Sequence, residues 1–228
     1  MILKDKRLLV CAELVTGDFI CDIGTDHGYL PAHMILSGKC RRAVAADINE
    51  MPLEAARSIF MKESISDKAE FYLSDGLKNV PLEGVTDIVI AGMGGELISR
   101  IIAADERAKK CGAAFILQPM TKAAELRKFL AENGFETDCE KGVREGRFIY
   151  SVMRCRYTGN CRSLTPTEEY SGRLDPDISL DREYILLQSD RLSNAAEGMK
   201  EKYPERSAEL MKISHELRDI CEKSAGRI

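Results

Sequence analysis

The chain has 228 residues and a formal net charge of -4, and 44% of its residues are hydrophobic while 31% are charged. This composition is typical of a globular protein with one large domain or a domain plus an appendage, and it excludes a disordered chain. The negative balance also excludes a polybasic nucleic-acid binder, although a local basic face is compatible with it.

The eight cysteines and three histidines do not form a metal-binding pattern. No two cysteines have the C-x-x-C spacing of a zinc site, so we expect no metal. Reduced thiols in a cytoplasmic protein are the simplest interpretation. Residues 1–7 lack a long apolar stretch and no apolar run reaches membrane-spanning length, so we expect a cytoplasmic protein without a membrane partner.

In chain order, hydrophobic patterning predicts a helix over 3–15 that closes at Gly17, followed by a regular alternation of strands and helices. The predicted strands are 19–23, 43–46, 69–73, 87–91 and 113–117. The predicted helices that follow them are 29–37, 52–63, 96–103 and 121–132, the last one capped by Thr121. Repeated strand–helix units predict a parallel sheet with right-handed crossovers.

The pattern then changes to two strand-like runs, 135–140 and 147–157, joined by residues 141–146 without a helix. An antiparallel hairpin at the end of a parallel sheet is typical of class I methyltransferases. The predicted fold is therefore α/β, a Rossmann-like class I methyltransferase with a mostly parallel seven-stranded sheet and a terminal antiparallel hairpin.

The last third of the chain predicts a separate helical unit. Residues 158–177 have the composition of a linker, and two apolar stripes at near-heptad spacing follow, separated at Pro204. They predict an antiparallel, coiled-coil-like helical hairpin, which serves either as a packed structural unit or as an RNA clamp. We expect a methyltransferase domain over 1–158 and a helical domain over 159–228.

The turn after the first strand indicates which cofactor the sheet holds. Gly24 permits a sharp turn and Gly28 permits close helix–strand packing, as in dinucleotide-binding loops. Asp26 stands where such loops commonly carry another glycine. Its carboxylate would repel a pyrophosphate but tolerate a sulfonium, which favours S-adenosylmethionine over NAD.

Acidic residues and glycines follow the successive predicted strands, and ligands of open parallel sheets bind at that edge. Asp22 and Gly24 suit the methionine end of the cofactor, Asp47 the ribose hydroxyls and Asp75 the adenine amino group. The predicted cofactor-binding set is Asp22, Gly24, Thr25, His27, Asp47, Ile48, Asp75, Gly76, Gly92, Met93 and Gly94. Taken singly, these residues are also compatible with turn caps, surface acids or packed side chains.

The loop after the fourth strand, Gly92-Met93-Gly94-Gly95, faces the transferred methyl group. It lacks the Asp/Asn-Pro-Pro-aromatic signature of enzymes that methylate exocyclic adenine nitrogens. Backbone N–H groups and open space suit a ring nitrogen instead.

Four sequence words resemble the TrmK family of bacterial tRNA (adenine(22)-N(1))-methyltransferases: DIGTDHGYLP at 22–31, SDGL at 74–77, IAGMGG at 90–95 and ILQP at 116–119. The resemblance covers residues from about Arg7 to Tyr157 and extends more loosely to the helical tail. It implies S-adenosylmethionine as donor, N1 of an adenine in the D-arm region of tRNA as acceptor, and a catalytic role for Asp26. Met120 departs from the family, which generally has Asn after Leu-Gln-Pro.

Substrate contacts are predicted at Tyr29, Gln118, Pro119, Arg144 and Arg147, with tRNA as the partner and a monomer or weak homodimer as the assembly. Further candidate RNA contacts are Arg41, Arg42, Lys109, Lys110, Arg154 and Arg156. Two alternatives stay open: a class I methyltransferase for a small molecule or protein, and a non-catalytic cofactor-binding scaffold.

Overall fold

The computed structural model describes residues 3–225, and seven strands form one sheet within them. The strands are β1 (Phe19–Ile23), β2 (Arg42–Asp47), β3 (Ala69–Leu73), β4 (Asp87–Gly94), β5 (Ala114–Thr121), β6 (Phe135–Glu145) and β7 (Phe148–Tyr157). Their order across the sheet is β3-β2-β1-β4-β5-β7-β6. β1 to β5 run parallel, and β7 and β6 close the sheet antiparallel. The predicted sheet is confirmed.

Eight α-helices accompany this sheet in the described part of the chain. They are α1 (Lys6–Leu14), α2 (Tyr29–Leu36), α3 (Glu50–Lys62), α4 (Gly95–Ala103), α5 (Ala123–Glu132), α6 (Pro166–Ser171), α7 (Ser179–Met199) and α8 (Pro204–Ala225). Asp5 begins α1, because its carboxylate accepts hydrogen bonds from the backbone N–H groups of Arg7 and Leu8.

Helices cover both faces of the sheet, and the strands are apolar on both sides as buried parallel strands require. In β4, Ile88 and Ile90 pack into one apolar layer and Val89 into the other, which is the period-two alternation of a strand. The first layer includes Ile98 of α4 and Leu126 of α5. The second is filled by side chains of α1, α2 and α3, including Leu14, Met34 and Phe60. This sandwich fixes the strand ends that form the candidate site.

The tail folds as an antiparallel pair of helices, as predicted. Ser189 and Ser214 exchange buried hydrogen bonds, Ser207 Oγ donates to the carbonyl of Ala196, and α7 therefore runs against α8. The coiled-coil detail and the domain boundary stay predictions.

Three local expectations were wrong. The segment 158–177 is more than a linker, since α6 forms there with a capping box between Thr165 and Glu168. Thr121 does not cap α5: it belongs to β5, and Lys122 precedes the helix with a left-handed φ of 56°. The connection between β6 and β7 is only the two-residue turn Gly146–Arg147, because residues 141–145 pair with β7 and Gly146 adopts the positive φ of a tight hairpin.

The predicted ends of β4 and β5, near the site, were also too early in the chain. β4 continues to Gly94 and β5 to Thr121, with bulges where Met93 pairs with Pro119. The glycine-rich segment is thus part of the sheet edge as well as a loop. Across residues 3–225, no helix combines the length and apolar character needed to cross a membrane. Met1, Ile2 and 226–228, which the predicted domains include, lie outside the described residues.

Candidate active site

The carboxyl ends of β2, β1 and β4 lie side by side at one edge of the sheet. The backbone N–H groups of Gly24 and Thr25 both donate to the carbonyl of Ala46, at 2.8 and 3.0 Å. The N–H group of Ser74 donates to the carbonyl of Asp47 at 2.8 Å. These hydrogen bonds join the ends of β1, β2 and β3 into one rigid rim.

Asp22 is the buried acid of this rim. Burial raises the pKa of its carboxyl to about 6, and the negative charges of Asp26 and Asp47 add to the rise. The neighbouring Thr25 hydroxyl, which is also buried, opposes the rise. Since no cation of residues 3–225 pairs with Asp22, this buried acid fits a ligand that carries a positive group.

Glycines shape the turn that follows. Gly24 has a φ of +74°, and a Cβ there would overlap Cε of Met93. Gly28 has a φ of +67°, and a Cβ there would lie 2.8 Å from Cβ of Ala56 on α3. Both positions therefore need glycine for conformation and for space, as the sequence predicts.

Asp26, the predicted catalytic residue, lies at the mouth of the site. Its side chain is 81% exposed, and Oδ1 lies 3.3 Å from Nε2 of His27. The rings of His27 and Tyr29 are in tilted contact with centroids 5.5 Å apart. This group faces solvent, where a substrate can reach it.

The two outer acids lie along the same rim. Asp47 accepts a hydrogen bond from the N–H group of Asn49 at 2.8 Å, and the exposed side chain of Ile48 stands between them. Asp75 is exposed and pairs with Lys78 at 2.6 Å. Gly76 has a φ of +63° and leaves room beside Ile101. The rim thus brings together the residues predicted for the cofactor.

Gln118 of β5 supports the glycine-rich segment Gly92–Gly95 through a hydrogen bond to its backbone. Its fully buried amide accepts a hydrogen bond from the N–H group of Gly92 at 3.0 Å and donates to the carbonyl of Pro119 at 3.0 Å. Gln118 therefore positions the segment that was predicted to face the methyl group. In this structure its role is to fix the Gly92 backbone, and its side chain is closed off from solvent.

Arg7 is a site residue that sequence reasoning missed as such. Its Nη1 atom lies 3.5 Å from Oε1 of Gln118 and 2.7 Å from Sδ of Met120, and its guanidinium lies over the ring of Tyr150. Arg7 pairs locally with Asp5 at 2.6 Å, but its contacts at the site are with residues more than 100 positions away along the chain, so no local motif marks them. Met120, which stands where the TrmK motif generally has Asn, is thus in contact with Arg7 of α1.

The predicted cationic contacts separate into two groups. Arg144 and Arg147 lie at the hairpin tip, on the same edge as the site. Arg144 pairs with Glu183 of α7, while the guanidinium of Arg147 lies 4.9 Å from the ring centroid of Phe148. The other candidates lie toward the opposite edge: Arg42 begins β2, and Arg154 and Arg156 pair with the first half of β5. The strand order therefore places Arg144 and Arg147 nearer to the cofactor rim than the other candidate RNA contacts.

The described residues contain no group of three or more His, Cys, Asp or Glu side chains suited to a metal ion. All eight cysteines are free. Chemically, the site offers a buried carboxylate, an exposed carboxylate and backbone groups on glycine turns.

Comparison with known proteins identifies the class. The profile of the methyltransferase domain matches residues 4–153. A protein in the NADB-Rossmann superfamily from Streptococcus agalactiae is 26% identical with a TM-score of 0.85, covering 96% of this chain and 98% of that one. The chain belongs to the methyltransferase domain family.

A curated relative and a solved structure carry a more specific name. The tRNA (adenine(22)-N(1))-methyltransferase of Bacillus subtilis is 32% identical over 149 residues, which are 65% of this chain and 63% of that protein. The M. capricolum TrmK, solved in complex with S-adenosyl-homocysteine, has the same fold at 22% identity, with a TM-score of 0.76 and 96% of each chain covered. The chain is thus similar to TrmK proteins over about two thirds of its length, in line with the resemblance of its motifs.

Proposed function

We propose that this protein transfers a methyl group from S-adenosylmethionine to N1 of an adenine at position 22, in the D-arm region of tRNA. The observation that carries the proposal is the rim itself: buried Asp22, exposed Asp26 and the Gly92 segment converge at one edge of a methyltransferase sheet. The activity of the Bacillus subtilis relative supports the same substrate.

The residues of this rim have separate proposed roles in cofactor binding and in catalysis. We propose that Asp22, Gly24, Thr25, His27, Asp47, Ile48, Asp75, Gly76, Gly92, Met93 and Gly94 hold the cofactor. S-adenosylmethionine supplies, when bound, a methyl group on positively charged sulfur. The main task of the chain is to align adenine N1 with that group, and alignment of reactants is worth about 7–11 kcal/mol.

Asp26 is the proposed catalytic residue. Methylation at N1 leaves a cationic ring, and a carboxylate at the mouth of the site stabilises that charge or accepts a proton from the amino group. The adenine must leave the tRNA stack to reach it, at a cost of a few kcal/mol. Tyr29, Gln118, Pro119, Arg144 and Arg147 are proposed on the substrate side, with Gln118 acting through the Gly92 backbone.

We further propose that the chain works in the cytoplasm as a monomer or weak homodimer, with domains over 1–158 and 159–228. The eight free cysteines support a reducing compartment.

The test is methylation of an unmodified tRNA transcript, followed by mapping of the modified base through the block that N1-methyladenine imposes on reverse transcription. We expect one adenine in the D-arm region to be modified. Asp26→Ala should lower the rate about 100-fold or more while the Kd for S-adenosyl-homocysteine changes little. Asp67→Ala, an exposed acid before β3, is the matched control and should retain full activity.

Two results would contradict parts of this proposal. Normal turnover by Asp26→Ala would remove Asp26 from the mechanism. Cofactor binding by the wild-type protein without N1 methylation of any tRNA adenine would reject the activity and favour a scaffold.

A further inference from the structure

A groove lies between the carboxyl end of β5, the hairpin tip and α7. We name it the interdomain groove, and its walls include Met120, Lys122, Phe148, Tyr150, Gln188 and Arg191. Its volume is about 700 Å³, within the range of about 300–1,000 Å³ that is usual for ligand pockets. Of the residues proposed above for the cofactor and the substrate, Pro119 alone lines this groove.

The groove is continuous with the cofactor rim. Met93 of the glycine-rich segment pairs with Pro119, and Met120 and Thr121 follow on the same strand into the groove. A molecule that extends away from the reacting base along β5 therefore enters this groove first.

The walls suit an unpaired nucleotide. Phe148 is 46% exposed, and its ring lies in tilted contact with that of Tyr150 at 6.2 Å between centroids. Exposed aromatic rings are the usual stacking platforms for single-stranded bases. Arg191 has no ion pair among residues 3–225 and stands one helical turn from Gln188, so a cation is available beside the rings.

Gln188 provides an independent indication of a ligand. It is only 9% exposed, and its Nε2 atom is buried without a hydrogen-bond partner among the described residues. Buried amides are nearly always paired, so this exception needs an explanation. A glutamine amide offers one acceptor and two donors, which match the edge of a nucleobase.

We propose that the interdomain groove holds an unpaired nucleotide of the substrate RNA next to the methylated adenine, with its base against Phe148 or Tyr150 and its edge bonded by Gln188. This inference rests on the proposed function. Withdrawal of one base from the stack leaves its neighbours without a stacking partner, and the groove supplies one.

The test compares Gln188→Met, Phe148→Ala and Arg191→Ala with matched controls on the far tail. Tyr203→Ala removes an exposed aromatic ring that also carries a cation, Lys202, and Lys200→Ala removes an exposed cation at the end of α7. We expect Phe148→Ala and Gln188→Met to raise the KM for unmodified tRNA about fivefold or more. Arg191→Ala should weaken tRNA binding, and the affinity of this variant should depend less on salt concentration than that of the wild type. The Kd for S-adenosyl-homocysteine and both controls should be unchanged.

The melting temperature separates binding from packing. Gln188→Met removes an unpaired buried donor, so its Tm should equal or exceed that of the wild type while its KM for tRNA rises. A lower Tm with an unchanged KM would make Gln188 a structural residue and overturn its role.

Direct tRNA binding distinguishes this inference from the proposed function. If the wild type binds tRNA without methylating it, the activity fails, yet weaker binding by the three variants would still support the groove. If the wild type methylates tRNA and no variant changes its binding or KM, the groove inference alone fails. A dimer that Phe148→Ala dissociates would assign the groove to a second copy of the chain and reject the nucleotide.

Discussion

At the scale of single residues, Asp22 combines burial with a charge that no cation balances within the described part of the chain. The pKa of its carboxyl rises from 3.8 to about 6, chiefly because burial penalises the charged form. The folded state thus binds the proton more tightly than the unfolded state. The contribution of Asp22 to the free energy of unfolding therefore falls as the pH rises from about 4 to about 6, and it is constant above that range.

Asp22→Asn should remove this penalty. We expect the variant to exceed the wild type in free energy of unfolding by up to about 3 kcal/mol above pH 6 and to match it below pH 4. Urea unfolding across this pH range measures the difference. Asp67→Asn, an exposed acid before β3 that is not among the charges acting on Asp22, is the control and should leave the profile nearly unchanged. A stability difference between Asp22→Asn and the wild type that does not grow with pH over this window would contradict the assignment.

At the scale of elements, the edge of the sheet depends on a close approach between the starts of α4 and α5. A Cβ at Gly95 would overlap the carbonyl oxygen of Lys122, whose own φ of 56° is left-handed. The obstruction is backbone, so no side-chain rotation relieves it. Gly92, three residues earlier, has a φ of +76°, and a Cβ added there would meet no atom within 4 Å.

These two glycines should respond differently to alanine. Gly95→Ala forces the backbones apart and should destabilise the protein by roughly 3 kcal/mol or more, with loss of cofactor binding. Gly92→Ala adds only conformational strain, about 1–2 kcal/mol. Thermal unfolding of both variants beside the wild type checks the order. Equal losses would mean that the contact with Lys122 costs no more than the backbone strain at Gly92, so that α4 and α5 can move apart.

The elements also show how far the sequence could predict the structure. Asp22, Asp47 and Asp75 were placed at strand ends because each follows a short apolar run, and such runs specify buried parallel strands. The bulged continuation of β4 could not be read in this way, since Gly92, Met93 and Gly94 have little preference for strands. Their pairing with β5, and the hydrogen bond from Gly92 to Gln118, are tertiary contacts.

At the scale of the whole molecule, a buried ion pair beside the sheet forms hydrogen bonds with the helical tail. Arg127 of α5 pairs with Glu140 of β6 at 2.6 Å and also donates to the carbonyls of Glu169 and Tyr170 around α6. Both charged side chains are almost fully buried. A Cβ at Gly172 would overlap Oε2 of Glu140, so the chain passes directly over the pair.

A second attachment lies nearby. Asp181 of α7 accepts hydrogen bonds from the N–H groups of Gly142 at 2.6 Å and Asp175 at 3.1 Å. Ile149 of β7 completes the apolar cluster of the helical pair. The tail is therefore docked on the sheet, and this docking sets the width of the interdomain groove.

Loss of Arg127 should loosen this docking. Arg127→Met leaves Glu140 charged and buried, and we expect a loss of about 3–5 kcal/mol in the free energy of unfolding. Arg127→Met combined with Glu140→Gln should recover part of that loss, because no buried charge remains. Lys128→Met is the matched control: it removes an adjacent, half-exposed cation that pairs with Glu169, and it should change stability little.

Urea denaturation measures the loss, and the KM for tRNA reports whether the groove depends on docking. We expect Arg127→Met to raise the KM for tRNA while the Kd for S-adenosyl-homocysteine stays near the wild-type value. The cofactor rim is built from the ends of β1, β2, β3 and β4, which lie on the other side of β5 from Glu140 of β6. If Arg127→Met and Lys128→Met were equally stable, the buried pair would not be what fastens the tail. The attachment would then rest on Asp181 and Ile149.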